Sequence, residues 1–173
     1  AAGAVPVPAK EYNFRTDIES ILSKVSKKTK VVIIANPNNP TGSYLTLLEL
    51  EYLCRELRKD ILIIIDAAYA EYLSTDDYSS GISLVDRFQN VVMTRTFSKL
   101  YGLAALRIGW LYGPNEIIEV VNRVRLPFNV NSIAQLAGSI AIKDEDYENF
   151  VRSKNSEHLP VLTSGLSNLG YEV

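Results

Sequence analysis

Three short runs in the 173-residue chain place reactive groups directly behind apolar ones. Lys99 ends "TRTFSK" (Thr94 to Lys99), and Arg107 follows it. Asp66 closes "ILIIID", with Tyr69 three residues on. Asn39 lies in "NPNNPTG" (Asn36 to Gly42), which follows "VVIIA". A lysine amine that is desolvated, or set beside a cation, loses basicity and becomes a nucleophile suited to Schiff-base chemistry. A carboxylate leaving an aliphatic run is costly to desolvate unless it meets a partner, so Asp66 reads as a counter-ion for a buried cation. The hydroxyls of Thr96 and Ser98, with the Arg107 guanidinium, make a phosphate cradle, because a guanidinium can bond a phosphate through two donors. The Asn39 amide and the Tyr69 hydroxyl have the reach to meet ligand oxygens.

Each group also has a plainer reading. Lys99 fits a solvated surface lysine, Asp66 a turn or helix cap, and Arg107 a surface ion pair. Thr96 and Ser98 fit turn caps, and Asn-Pro pairs commonly make turns. Position is what links the sharper readings. In open α/β sheets ligands bind beyond the carboxyl ends of the strands, and three such ends carry these residues.

The elements that must hold them follow from periodicity. Val31–Ala35 is β-branched and wholly apolar, as expected of a strand covered on both faces. Ile61–Ile65, Val91–Thr96 and Arg107–Tyr112 read as three further strands. Thr16 to Glu19 and Thr46 to Glu49 match capping boxes, predicting helices to about Lys24 and Lys59. The second helix carries Leu50, Leu53, Cys54 and Leu57 on one stripe. Helices are also expected from Pro114 to Arg125, from Asn131 to Ile142, and from Asp146 to Leu169 with a break near Pro160. Gly170 caps the last of these before a strand at Tyr171. Alternating strands and helices predict a three-layer αβα architecture around a mostly parallel sheet. A change of texture near Asp144 divides residues 1–143, part of a large domain, from 144–173, a connecting helix and the start of a smaller α+β domain.

Composition removes several classes of function. The net charge of −2 provides no basic footprint for nucleic acid or anionic lipid. No apolar run approaches the ~20 residues of a membrane helix. A single cysteine, Cys54, fits a reducing compartment, and cytoplasmic localisation is expected. One histidine, His158, argues against a His-based metal site or a Ser-His-Asp triad, and no metal is expected. Cys54 and Trp110 read as packing and His158 as solvent-facing. The acidic run Asp144 to Glu148 suits a solvated helix start. The lack of an initiator Met suggests an internal piece of a larger protein.

"NPNNPTG", "DAAYAEY" and "SK" followed by Arg107, in that order and spacing, resemble the fold-type-I aminotransferases that use pyridoxal 5′-phosphate (PLP). The resemblance spans essentially the whole chain. It implies that Lys99 is the catalytic residue, bonding PLP as a Schiff base and shuttling a proton between substrate and cofactor. It implies that Asp66 pairs with the pyridinium nitrogen, and that Asn39 and Tyr69 bond the ring's phenolic oxygen. Thr96, Ser98 and Arg107 then hold the phosphate. A homodimer acting on amino acids and 2-oxo acids is implied as well. The family's usual "DEAY" reads "DAAY" here, with Ala67 in place of the acid.

Within the superfamily, Lys10–Phe14 and Arg125–Ser132 resemble the histidinol-phosphate aminotransferase branch. Threonine-phosphate decarboxylases and aromatic aminotransferases share the scaffold. The family's upstream phosphate-binding loop and its downstream carboxylate-binding arginine have no match in this chain. A piece without turnover of its own is therefore the further alternative.

Overall fold

The computed structural model describes residues 3–173, and its backbone groups into two compact units. The first comprises residues 1–96 and 109–127, of which Ala1 and Ala2 lie outside the described residues. The second comprises residues 97–108 and 128–173. Asp144 falls inside the second unit.

The first unit opens on a hairpin. Strands β1 (Glu11–Tyr12) and β2 (Arg15–Thr16) pair antiparallel around Asn13 and Phe14, both at positive φ. Two left-handed residues in succession match the twist of a tight hairpin. Thr16 is therefore a strand residue paired with Glu11, and not the helix cap expected from its spacing to Glu19. Asp17 caps helix α1 (Ile18–Lys24) instead, accepting a hydrogen bond from the Ser20 amide at 3.2 Å.

Strand β3 (Val31–Ala35), helix α2 (Leu47–Glu56), strand β4 (Leu62–Asp66), helix α3 (Ile82–Val85), strand β5 (Val91–Thr96) and strand β6 (Gly109–Tyr112) follow. The sheet order is β3-β4-β5-β6, parallel across the first two pairs and antiparallel across the last. The expected mostly parallel α/β sheet is present. The Thr46 capping box is complete, but α2 ends at Glu56 because Leu57 turns extended. Strand β6 begins two residues later than predicted, since Arg107 has φ 53°, outside the strand region.

Side-chain alternation sorts the sheet into two faces. Ile34, Ile63, Ile65, Val91 and Met93 share one face and pack with Ile18, Leu50, Leu53, Cys54, Leu57, Leu84 and Val85. Cys54 is thus a core residue, as its stripe predicted. The opposite face differs from expectation. On β3, an edge strand, Val31 is 46% and Ile33 68% exposed, so this strand is covered on one face only. Helix α4 (Asn115–Val124) completes the unit.

In the second unit, helix α5 (Ser132–Ala141) is capped by Asn131 and packs against residues 97–108. A Cβ at Gly138 would come within 2.9 Å of Ile108 Cδ1. Helix α6 (Glu145–Asn168) starts at Asp144, which accepts from the Tyr147 amide at 3.0 Å. It runs through Pro160 without the expected break. A proline costs the i−4 carbonyl its donor, but around Pro160 the helix is exposed and water can serve that carbonyl. Gly170, at φ 88°, ends the helix, with the Tyr171 amide bonding Leu166 O at 3.1 Å. Residues 171–173 form no strand, contrary to expectation. His158 is exposed.

Candidate functional site

The loop after β3 is anchored from within. Asn36 is fully buried, and its side chain bonds the Leu45 backbone in both directions. Its Nδ2 donates to Leu45 O at 3.1 Å, and its Oδ1 accepts from Leu45 N at 2.7 Å. The Tyr78 hydroxyl donates to Asn36 O at 2.9 Å. Between these pinned ends the loop carries Asn39, which is exposed. Asn39 Nδ2 donates to the Tyr69 hydroxyl at 2.9 Å. Two loops that leave adjacent parallel strands therefore bring an amide and a phenol together at the carboxyl edge of the sheet.

Asp66 is the last residue of β4, and backbone bonds at it and just after it reach both neighbouring strands. Asn36 N donates to Asp66 O at 2.9 Å, and Ala67 N donates to Thr94 O at 3.0 Å. Its half-buried carboxylate accepts from Thr94 Oγ1 at 3.3 Å. Ala67 is fully buried in the core, where a carboxylate would be expensive without a partner.

A buried ion pair braces the segment beyond Asp66. Arg95 Nη2 donates to Glu71 Oε1, with both side chains largely out of solvent. The same guanidinium lies 5.7 Å from the centre of the Trp110 ring, which faces it across the β5–β6 register. Trp110 thus packs on Arg95, yet it is more than a third exposed. Thr96, half-buried, ends β5 opposite Gly109.

Within the second unit, Ser98, Lys99 and Arg107 belong to one segment, residues 97–108. Phe97 and Leu100 are buried on either side of half-buried Ser98 and exposed Lys99. Gly102 N donates to Lys99 O at 3.0 Å, and Leu103 N to Phe97 O at 2.9 Å, closing a turn around the lysine. Arg107 is exposed and donates from Nη1 to Ala104 O at 2.8 Å. No group of three or more potential metal ligands occurs among the described residues.

The structure therefore joins Asn39 to Tyr69 and sets Asp66 at the end of the neighbouring strand, while Ser98, Lys99 and Arg107 share one segment of the second unit. Thr94, Asn36 and the Glu71–Arg95 pair were not singled out by spacing. A threonine within a strand is ordinary, and only the strand register reveals its partner.

A sequence model of the aminotransferase class I and II family matches residues 1–173. The chain belongs to that family. As a class I and II aminotransferase chain it is 48% identical over all 173 residues to the histidinol-phosphate aminotransferase of Rhodospirillum centenum, covering 48% of that protein. It is 53% identical over 147 residues to that of Pelagibacter ubique, over 85% of this chain and 41% of that protein. The chain spans about half the length of the curated relatives it matches. Among solved structures, the histidinol-phosphate aminotransferase of Sinorhizobium meliloti in complex with pyridoxal-5′-phosphate superposes with a TM-score of 0.86 at 30% identity. That match covers 96% of this chain and 45% of the other.

Proposed function

We propose that the full-length protein binds PLP and transfers the amino group of histidinol phosphate to 2-oxoglutarate, a step of histidine biosynthesis. The observation that carries the geometric part is the 2.9 Å bond between Asn39 and Tyr69, in the loops that follow β3 and β4, with Asp66 at the end of β4. That donor set fits a ring with a phenolic oxygen on one side and a basic nitrogen on the other. The choice of substrates rests on the relatives' names. The decarboxylase and aromatic-aminotransferase alternatives rest on scaffold alone.

When bound, PLP supplies an electron sink for negative charge at the substrate Cα. In this reading Asp66 keeps the ring nitrogen protonated. Asn39 and Tyr69 hydrogen-bond the phenolic oxygen. Thr96, Ser98 and Arg107 hold the phosphate, the guanidinium through paired donors. Lys99 would attach the cofactor covalently, and its amine, once freed, would hold and move the proton at the substrate Cα. The same proposal includes a cytoplasmic homodimer, and a large domain giving way to a smaller one near Asp144.

The test uses full-length protein. Wild type with PLP is expected to show the visible absorbance of lysine-bound cofactor, and Lys99→Ala to lose it. Histidinol phosphate with 2-oxoglutarate is expected to yield glutamate. A band that persists in Lys99→Ala would overturn the assignment. Carbon dioxide release from phosphothreonine, without glutamate formation, would replace the transaminase with a decarboxylase.

A further inference from the structure

Asp66 and Thr94 are Cα partners in the parallel β4–β5 ladder. Ile65 and Met93, one residue back on each strand, are fully buried in the core. Alternation therefore puts Asp66 and Thr94 together on the opposite face of the sheet. The backbone bonds from Asn36 N to Asp66 O and from Ala67 N to Thr94 O fix where the aspartate Cα sits. Only its two side-chain torsions remain to be set. The Thr94 hydroxyl bonds Oδ1 at 3.3 Å, long for a hydroxyl donor but directed at one oxygen only. Threonine is β-branched and stiff about χ1, so this hydroxyl is aimed in advance by its own backbone.

We propose that Thr94 is a positioning residue, whose hydroxyl holds Oδ1 of Asp66 so that Oδ2 is presented to the ring-nitrogen proton of PLP. The inference rests on the PLP reading above and adds to it a residue that acts through Asp66. A donor on Oδ1 limits rotation of the carboxylate, so that less order must be imposed when the cofactor arrives. Valine at this position keeps the shape and the strand preference and removes only the donor. Serine keeps the donor and removes only the methyl.

The experiment measures PLP affinity of full-length wild type, Thr94→Val and Thr94→Ser from the visible absorbance. It is repeated by fluorescence quenching with 1-deazapyridoxal phosphate, in which carbon replaces the ring nitrogen. Thr94→Val is expected to bind PLP about three- to tenfold more weakly, the loss of one hydrogen bond's net contribution. Thr94→Ser is expected to recover most of that affinity. With the deaza analogue, wild type and Thr94→Val are expected to bind alike, because there is no ring N–H for Asp66 to meet. An equal loss with both cofactors would overturn the inference, since a general disturbance of the strand does not distinguish them. So would Thr94→Val binding PLP as tightly as wild type, an outcome that leaves the PLP reading intact. A wild type that shows no band with PLP overturns both.

Discussion

Arg15 meets Glu49 through two parallel hydrogen bonds, Nη1 to Oε1 at 2.7 Å and Nη2 to Oε2 at 2.6 Å. The same carboxylate accepts from the Thr46 amide at 2.8 Å, closing the capping box of α2. One glutamate thus ties the β1–β2 hairpin to the helix that follows β3. The Arg15 guanidinium is the main reason that the Glu49 carboxyl is lowered to about 2, against the opposing effect of burial, with Thr46 assisting.

This pairing predicts a pH dependence. The folded value lies below the ordinary one of 4.5, so the contribution to stability is complete above about pH 4.5 and is lost as pH falls toward about 2. Both side chains are about a third exposed or more, so solvent screening limits the effect of Glu49→Gln to about 1 kcal/mol at pH 7. Urea denaturation of wild type and Glu49→Gln should differ at pH 7 and converge near pH 2.

The Arg95–Glu71 pair should behave differently because it is buried. Arg95→Met leaves an uncompensated carboxylate and is expected to cost about 3–5 kcal/mol. The double variant Arg95→Met with Glu71→Gln should recover part of that loss. A double-mutant cycle by denaturant titration measures the recovery, and simple additivity of the two losses would contradict this account.

Asn36→Ala would strand both the amide and the carbonyl of Leu45 away from water. Each unsatisfied group costs about 1–3 kcal/mol, so a loss of about 2–6 kcal/mol is expected. Hydrogen exchange should also quicken at Leu45 before it does so in β4. Asn39→Ala, on an exposed side chain in the same loop, should leave stability nearly unchanged.

Burial pushes the Cys54 thiol up to about 12. The thiolate is the reactive form, so the native protein should react negligibly with a disulfide reagent at pH 8. One equivalent of thiol should appear on unfolding. Rapid modification of the native protein would show that α2 opens readily.

The succession of strands and helices along the chain, the core stripe of α2 and the residues at the strand ends were legible because each rests on local pattern. Asp66 stood out as a charge behind five aliphatic residues, and Asn39 as an amide between two prolines. Thr16 misled because two caps compete within two residues. Asp17 wins once Asn13 and Phe14 close the hairpin and commit Thr16 to a strand. The partnership of Thr94 with Asp66, 28 residues apart in the chain, depends on the register of two strands, which no local pattern encodes. Pro160 looked like a break because the proline rule describes a missing bond, and an exposed helix loses less by that absence than a buried one.

The bare face of β3 governs how the 173-residue chain behaves as a colloid when prepared alone. An edge strand reading "VVIIA", uncharged and with Ile33 open to water, is a template onto which a second copy can add strand to strand. Light scattering from such a preparation should rise with concentration. Ile33→Lys should suppress that rise by placing a charge on the exposed face of this edge strand while leaving the core side of the sheet untouched.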